Sequence, residues 1–287
     1  MSPTSEAPAG GILVLGAQGL LGRALVGTRT PGLVGLDRTL CDVTAPDAVA
    51  AALQRLQPRW VVNCAAFTAV DRCETEPERA FAVNGFAAGV VARACLHAGA
   101  RLVHLSTDYV FNGHGSRPWR EDDAPDPLSV YGRSKRVGEN AVRAALGDSA
   151  LIVRAQWLYG PGGPDFVGAI LALATTRDRL KVVSDQRGAP TEAAVLAHLL
   201  LGLMAVSASG VVHAACAGAC TRAEWATAIL ASRRPPVTVE PCATAEFPRP
   251  APRPENSVFD LSRLTSILGE VPPAWDAVLA DYMARTP

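Results

Sequence analysis

Short apolar segments alternate with longer Ala-rich segments through the first half of the chain. Strand-type apolar runs lie at residues 11–16, 33–36, 60–64, 101–105 and 151–154, and segments with helical spacing lie at 20–26, 47–56, 77–98 and 134–145. Strands that alternate with helices of this length predict βαβ units and a parallel sheet. Because the strands are apolar throughout, we expect helices on both faces of that sheet. The pattern predicts a doubly wound α/β fold of the Rossmann type.

The regular alternation weakens after about residue 160. A Gly/Pro-rich loop at 160–164 and a Pro/Arg-rich segment at 246–254 interrupt it, and the second segment cannot join a helix or a central strand. We expect a flexible tail at 1–10, a dinucleotide-binding domain at 11–160 and a smaller, mixed substrate-binding portion at 161–287. Parts of this last portion should return to the Rossmann sheet.

Composition narrows the classes of function. The 287 residues are 49% hydrophobic and 19% charged, which is typical of a soluble globular protein. Lys+Arg and Asp+Glu both number 27, so the formal net charge is zero and neither nucleic acid nor a membrane surface is an expected partner. The apolar segment 195–206 is too short to span a bilayer. Seven scattered cysteines and the lack of a signal-peptide pattern indicate a cytoplasmic protein with reduced thiols.

A glycine-rich turn follows the first strand. Gly16, Gly19 and Gly22 form a G-x-x-G-x-x-G pattern between that strand and a helix. Glycines at these positions permit a tight turn, close approach of the backbone to a pyrophosphate and packing of helix on strand, while the helix N-terminus offers N–H groups to the anion. The alternative is a purely structural glycine turn. The strand-to-helix context favours a dinucleotide site.

Two charged residues at the end of the second strand bear on the type of dinucleotide. Asp37 lies about 20 residues after the first glycine, where a carboxylate accepts hydrogen bonds from the adenosine ribose hydroxyls. Its alternative role is that of a turn residue at a strand end. Arg38 follows directly, and a guanidinium favours the 2′-phosphate that a carboxylate disfavours. The sequence therefore leaves NADPH and NADH open.

A second group of polar residues follows the fourth strand. Thr107 and Asp108 lie at its end, and Tyr131 and Lys135 are four residues apart in a predicted helix. This spacing places the ammonium beside the phenol, and a neighbouring cation is expected to lower the phenol's pKa toward neutrality. Carbonyl reduction needs such an acid. The alternative is a surface Tyr–Lys pair, but a hydroxyl at the end of a parallel strand, together with the glycine turn, favours catalysis.

Several blocks of sequence resemble the extended short-chain dehydrogenase/reductase superfamily and, within it, the dTDP-4-dehydrorhamnose reductase family. The blocks lie in order over nearly the whole chain, at residues 63–71, 106–111, 131–135, 154–160, 185–191 and 253–257. The resemblance implies reduction of the C4 keto group of dTDP-4-dehydro-L-rhamnose to give dTDP-L-rhamnose, with NADPH or NADH as hydride donor. Tyr109 stands where the related 4,6-dehydratases usually have Glu, which favours simple reduction over dehydration.

The resemblance also implies roles for individual residues. Tyr131 would give a proton to the C4 oxygen, Lys135 would hold the nicotinamide ribose, and Thr107 would bond the substrate near the carbonyl. Further cofactor contacts are implied for Gly19, Leu20, Leu21, Asp37, Asp42, Val43, Ala66, Phe67, Thr68 and Leu105. Substrate contacts are implied for Val70, Asp108 and Trp157. Arg253 lies in one of the matching blocks and would bind the substrate diphosphate; the alternative is that it belongs to a solvated face with the arginines at 233, 234 and 249.

Some positions depart from the family pattern. Residues 23–24 are Arg-Ala and residues 193–194 are Ala-Ala, where some members carry glutamates for a magnesium site at a dimer contact. We expect no metal site, and a monomer or a homodimer. Phe67 and Gln156 also differ from the usual residues beside the active site, so the sugar accepted could differ. Two rivals stay open: a reductase for another dTDP-4-keto-6-deoxyhexose, of the dihydrostreptose type, and a non-catalytic dinucleotide-binding subunit similar to methionine adenosyltransferase β.

Overall fold

The computed structural model describes residues 11–231 and 236–285, so the tail expected at 1–10 lies outside the described residues. In chain order the elements are β1 (Ile12–Leu15), α1 (Leu20–Gly27), β2 (Leu33–Leu36), α2 (Pro46–Leu56), β3 (Trp60–Asn63), α3 (Val70–Thr75), α4 (Pro77–Ala80), the π-helical turn Phe81–Phe86, α5 (Ala87–Ala98), β4 (Arg101–Thr107), α6 (Val130–Leu146), β5 (Leu151–Ala155), β6 (Leu158–Tyr159), α7 (Phe166–Leu173), β7 (Arg179–Val183), β8 (Arg187–Gly188), β9 (Thr191–Glu192), α8 (Ala193–Ala205), β10 (Gly210–His213), β11 (Cys220–Thr221), α9 (Arg222–Leu230), β12 (Thr238–Cys242), α10 (Ser262–Leu268) and α11 (Trp275–Arg285). Short 3₁₀ turns lie at Asp108–Val110, Gly147–Ser149 and Thr244–Glu246.

The central sheet consists of six parallel strands in the order β10-β5-β4-β3-β1-β2. β2 pairs with one edge of β1 and β3 pairs with the other edge. The chain therefore reverses direction across the sheet between β2 and β3, and the carboxyl ends of β1 and β3 form the switch point at which open α/β sheets bind ligands. This topology confirms the predicted Rossmann-type fold. β10, from the C-terminal part of the chain, pairs with β5.

Apolar side chains cover both faces of the sheet. In β1, Ile12 and Val14 belong to the core formed with α1, α8 and α10. Leu13 and Leu15 belong to the core on the opposite face, formed with α2, α5 and α6. Successive side chains of a strand point to opposite faces, so a strand buried on both sides must be apolar at every position. This explains why the strands appear in the sequence as continuous apolar runs.

The helical stretch Pro77–Ala98 is long and apolar enough to cross a membrane by length and composition alone, and half of it is buried inside the fold. Its buried residues Ala88, Val91, Ala92 and Cys95 pack in the core under the sheet. α5 also contacts α2 and α6. Core packing accounts for the apolar composition of this stretch.

A separate apolar cluster lies beside the sheet. It is formed by α7, α9 and α11 with the parallel pair β7 and β12, and Tyr159 and Trp225 are fully buried in it. The Pro/Arg-rich segment 247–254 contains neither helix nor strand, in agreement with its sequence. This cluster and this segment form the walls of the larger of the two clefts described next.

Candidate active site

The turn between β1 and α1 has the backbone geometry that the glycine pattern predicts. Gly16 has a φ of 78°, and its N–H donates to the carbonyl of Leu36 at 2.9 Å. A Cβ atom on Gly22 would lie 2.3 Å from the carbonyl oxygen of Gly16, so only glycine permits this packing of α1 on the turn. Gly19 caps α1 without a side chain, and no acidic residue occupies the first turn of the helix. The N-terminus of α1 is thus suited to a pyrophosphate.

A cleft of about 280 Å³ adjoins this turn. The predicted cofactor residues that line it are Gly16, Gly19, Asp37, Arg38, Asp42, Val43, Ala66 and Phe67. Gln18, Cys64 and Arg79 also line it, and the sequence analysis had not selected them. Two predicted residues point elsewhere: the side chain of Leu21 is buried in the core, and Leu20 lines a different cleft.

Asp37 follows β2 and is held by several hydrogen bonds. Its Oδ1 accepts from the Thr39 hydroxyl at 2.6 Å and the Thr39 N–H at 2.8 Å, while its Oδ2 accepts from the Gln18 amide at 2.5 Å. The bond from the Thr39 hydroxyl is the largest influence that keeps the pKa of Asp37 below its usual value. The Arg38 side chain is 74% exposed and lies 3.4 Å from Asp42. Both charges border the same cleft, so these two residues do not decide between NADH and NADPH.

Asn84 fixes the loop after β3, a role that the sequence analysis missed. Its Oδ1 accepts from the Phe67 N–H at 2.7 Å, and its Nδ2 donates to the Phe67 carbonyl and the Ser134 hydroxyl, both at 3.0 Å. Ser134 lies between Tyr131 and Lys135 in α6. Asn84 thereby joins the cofactor side of the site to the helix that carries the predicted acid. The only sequence signal is a polar residue within an otherwise apolar helical segment.

α6 begins at Val130, before the apolar helical pattern at 134–145, and contains both Tyr131 and Lys135 as their spacing predicts. Ser129 is the N-cap, and its hydroxyl accepts from the Gly132 N–H at 3.1 Å. A second cap comes from Glu74, whose carboxylate accepts from the Val130 N–H at 2.8 Å. The helix therefore includes Tyr131 in its first turn and presents it at the carboxyl end of β4.

The structure brings the predicted catalytic residues together in a buried position. Thr107, Asp108, Tyr131 and Lys135 are 5%, 2%, 9% and 2% exposed. The Thr107 hydroxyl donates to Asp108 Oδ1 at 2.9 Å and is also hydrogen-bonded to the Tyr131 phenol. Lys135 Nζ donates to the Leu105 carbonyl at 2.5 Å. Thr107, Asp108 and Tyr131 are thus joined by hydrogen bonds at the end of β4, and Lys135 is held separately by the backbone of the same strand.

The pKa of Tyr131 is not lowered as the sequence predicts. Burial raises it, and the hydrogen bond with Thr107 opposes this only in part. The Lys135 ammonium donates to the Leu105 carbonyl, and burial lowers the pKa of Lys135 to about 8. The i, i+4 spacing alone could not reveal either effect. A raised phenol pKa keeps Tyr131 protonated, which is the form that a proton donor to a ketone oxygen requires.

A second cleft, of about 940 Å³, lies between α7, β7, β12 and the segment 244–253, and Tyr109 forms part of its wall. The rings of Tyr109 and Tyr131 meet edge to face with their centroids 5.4 Å apart. Val70, a predicted substrate contact, packs in the same apolar group as Tyr131. The large cleft therefore borders the predicted catalytic residues through Tyr109.

Trp157 is held in an uncommon backbone conformation, with a φ of 46°. Its ring stacks on Trp225 at 5.7 Å between centroids, and the guanidinium of Arg222 lies 3.6 Å from its centre. A Cβ atom on Gly188 would lie 2.6 Å from the Trp157 ring, which accounts for the glycine in the block 185–191. The position of Trp157 is thus fixed by α9, through Arg222 and Trp225, and by the close approach of Gly188.

Arg253 reaches the large cleft but makes its bidentate contact within the protein. Its two terminal nitrogens donate to the carboxylate of Asp71 at 2.7 and 2.9 Å, and one of them also donates to the Ala251 carbonyl at 2.6 Å. The double contact that the sequence predicts for a diphosphate is therefore made with Asp71.

Some members of the family carry glutamates for a magnesium site near residue 193, and in this chain an ion pair lies in that region. Glu192 is buried and pairs with Arg285 of α11 at 3.1 Å. Across residues 11–231 and 236–285, no group of three or more His, Cys, Asp or Glu residues could hold a metal ion.

Comparison with known proteins gives consistent matches over nearly the full chain. The family model described as RmlD substrate binding domain matches residues 10–287. A dTDP-4-dehydrorhamnose reductase from Streptomyces griseus is 42% identical over 281 residues, which cover 94% of this chain and 91% of that protein. A dTDP-4-keto-6-deoxy-D-glucose reductase from Streptomyces niveus is 42% identical over 213 residues, covering 73% and 74%. The structure of a dTDP-4-dehydrorhamnose reductase from Bacillus anthracis in complex with NADP has a TM-score of 0.92 at 33% identity, covering 96% of this chain and 99% of that one.

Proposed function

This chain belongs to the RmlD substrate-binding-domain family of extended short-chain reductases, and we propose that it reduces the C4 keto group of dTDP-4-dehydro-L-rhamnose to give dTDP-L-rhamnose. NADPH or NADH is the hydride donor. The observation that carries this proposal is the buried set of Thr107, Tyr131 and Lys135, which lies on the same edge of the sheet as the glycine turn. A phenol, a hydroxyl and an ammonium beside a dinucleotide cleft suit carbonyl reduction.

Each group of residues has a separate task in this reaction. The nicotinamide supplies the hydride when it is bound. The N-terminus of α1 and Asp37 hold the dinucleotide, and Lys135 holds its nicotinamide ribose. Thr107 positions the keto oxygen by a hydrogen bond, and Tyr131 gives that oxygen a proton. Thr107 gives its only hydroxyl proton to Asp108 in the structure, so that hydroxyl must turn from Asp108 to the keto oxygen when the substrate binds.

Tyr109 supports reduction rather than dehydration. Removal of the C5 proton in a 4,6-dehydratase needs a base beside Asp108, and the residue here is a phenol. Burial raises the pKa of Tyr109, with the nearby Asp108 acting in the same direction. A protonated phenol does not accept a proton at neutral pH, so the second half of a dehydration has no base at this position.

The proposed function is tested by the product formed from a defined nucleotide sugar. Purified protein is incubated with dTDP-4-dehydro-L-rhamnose and either NADPH or NADH, and the product is identified by NMR. We expect dTDP-L-rhamnose. A parallel reaction uses dTDP-4-keto-6-deoxy-D-glucose, the sugar named for the Streptomyces niveus relative. Reduction of this second sugar alone would assign the chain to another dTDP-sugar pathway, and dinucleotide binding without reduction of either would indicate a non-catalytic subunit.

The rate of reduction is expected to fall as the pH rises through about 8. Lys135 is charged below this pKa and neutral above it, and only the charged form stabilises the negative charge that develops on Tyr131 as it gives up its proton. Initial rates of cofactor oxidation across this range check the prediction. The Lys135→Arg variant, which keeps its charge, should lose the decline, although its rate at low pH should be lower.

NMR measures the pKa of Lys135 independently of the reaction rate. The chain contains two lysines, Lys135 and Lys181, so side-chain NMR of lysine-labelled protein gives two signals, and Lys135→Arg identifies the first by its disappearance. A rate that stays constant well above the titration of that signal would contradict the assigned role.

We also propose how the chain divides between the two binding sites, where the protein is located and how many subunits it has. Residues 11–160 supply the dinucleotide site and 161–287 most of the substrate site, since the large cleft is lined mainly by residues after 160. All seven cysteines are free, which supports a location in the reducing cytoplasm. The oligomeric state is a monomer or a homodimer.

A further inference from the structure

The arginines around the large cleft differ in whether the protein already neutralises their charge. Arg253 is bonded twice to Asp71, and Arg179 pairs with Glu240 at 3.0 Å. Arg249 lies 3.9 Å from Asp71. Arg222 differs from these three because, among the described residues, no hydrogen bond or ion pair engages its guanidinium.

Arg222 is nevertheless well positioned. It is the first residue of α9, and a capping box fixes the backbone there: the Thr221 hydroxyl accepts from the Glu224 N–H at 3.1 Å, and the Glu224 carboxylate accepts from the Thr221 N–H at 2.7 Å. Its guanidinium lies 3.6 Å from the centre of the Trp157 ring and 5.2 Å from that of Phe166. The side chain is therefore held by packing rather than by a counter-ion.

Stacking of this kind leaves the hydrogen-bonding capacity of arginine free. An aromatic ring covers the face of the guanidinium, whereas its N–H groups point outward in the plane. Burial lowers the pKa of Arg222 to about 10, while Tyr109 and Asp108 favour its charged form. Arg222 is partly buried, and a cation that has lost part of its hydration without gaining a paired anion is costly. An anionic ligand with two adjacent oxygens would satisfy it.

The location of Arg222 relates this anion to the reacting sugar. Trp157 and Asp108 are the predicted sugar contacts, and Tyr109, on the wall of the same cleft, touches the ring of Tyr131. In a nucleotide sugar the diphosphate is bonded directly to C1 of the sugar. An anion held at Arg222 would lie beside Trp157 on the wall of the cleft that borders Tyr131 through Tyr109, which suits the diphosphate of a sugar placed between Trp157 and Tyr131.

We propose that Arg222, rather than Arg253, binds the diphosphate of the nucleotide sugar and, through its stacking on Trp157, aligns the sugar with Tyr131; this assignment rests on the proposed function. Arg253 has a different role, in which it ties the segment 247–254 to Asp71 at the start of α3. Arg222 is then a substrate-binding residue, and Arg253 shapes the wall of the cleft.

The experiment measures the binding of dTDP by calorimetry to the wild-type protein and to Arg222→Gln, Arg222→Lys, Arg253→Gln and Arg177→Gln. Arg177 is an exposed arginine on the wall of the same cleft and serves as the control for loss of one positive charge. We expect Arg222→Gln to raise the Kd at least ~10-fold, about the loss of one charge-assisted bidentate contact. Arg222→Lys should be intermediate, since lysine keeps the charge without the planar pair of donors.

Three measurements separate the possible outcomes: the affinity for NADPH, the Kd for dTDP and the reduction of dTDP-keto sugars. Unchanged NADPH affinity in Arg222→Gln shows an intact fold, and Arg222→Lys serves if the first variant does not fold. An unchanged Kd for dTDP in both Arg222 variants, or a larger loss in Arg253→Gln, would overturn the assignment. If dTDP binding depends on Arg222 but no dTDP-keto sugar is reduced, the diphosphate site stands and the proposed function fails.

Discussion

Replacing Tyr131 by Phe is expected to lower turnover at least ~100-fold, the scale on which general acid catalysis is lost. The variant removes a single hydroxyl and keeps the ring, so the edge-to-face contact with Tyr109 is retained. Thr107 and Lys135 also remain in place, because their bonds to Asp108 and Leu105 do not involve Tyr131. Single-turnover measurement of cofactor oxidation gives the rate, and fluorescence titration gives the NADPH affinity, which should stay within about threefold of the wild-type value.

Tyr159→Phe is the matched control for this change. Tyr159 is fully buried, and its hydroxyl has no hydrogen-bond partner among the described residues. Loss of that hydroxyl should leave both the rate and the cofactor affinity unchanged. If Tyr131→Phe turned over at the rate of Tyr159→Phe, another group would have to protonate the sugar oxygen.

The parts of the site that the sequence predicts are those determined by neighbouring residues. The turn at Gly16 needs a positive φ, and the packing of α1 needs a residue without a side chain at Gly22. Both requirements fall within one strand, one turn and one helix. Asp37 is predictable for the same reason, because the end of β2 and the end of β1 lie side by side in any sheet of this topology.

The parts that the sequence does not predict depend on contacts between distant residues. Asn84 acts on Phe67 and Ser134 only because a π-helical turn brings its amide between them. Arg222 meets Trp157 only because α9 packs against the short segment between β5 and β6. The pKa of Tyr131 likewise depends on burial by several elements, which outweighs the effect expected from a lysine four residues away. None of these relations has a fixed spacing in the chain.

Breaking the buried ion pair between Arg154 and Glu139 is expected to reduce the free energy of unfolding by about 3 kcal/mol, the lower end of the usual cost of breaking such a pair, because Glu139 loses its bidentate partner but keeps Arg136. The two side chains are 1% and 0% exposed. Arg154 Nε and Nη2 donate to the two oxygens of Glu139 at 2.8 and 2.9 Å. Although burial alone would raise the pKa of Glu139, the bonds from Arg154, with Ser106 and Arg136, hold it at about 2.

The pair matters for function because it connects three elements of the site. Arg154 belongs to β5, Glu139 to α6, and Ser106, which donates to Glu139 at 2.6 Å, to β4 next to Thr107. In Arg154→Met the Glu139 carboxylate keeps only Ser106 and the half-buried Arg136 as partners. Urea unfolding at neutral pH measures the loss, which should shrink as the pH falls, because protonation of Glu139 removes the buried charge that Arg136 and Ser106 compensate only in part.

The double variant Glu139→Leu/Arg154→Met distinguishes an unpaired charge from a lost contact. Since both charges are removed together, it should be more stable than Arg154→Met by about 2 kcal/mol or more. A loss below about 1 kcal/mol in Arg154→Met, or a double variant no more stable than the single one, would contradict the argument. Turnover should remain low in the double variant even where stability returns, because a leucine side chain in place of the Glu139 carboxylate cannot accept the bond from Ser106 that aligns β4 with the helix carrying Tyr131.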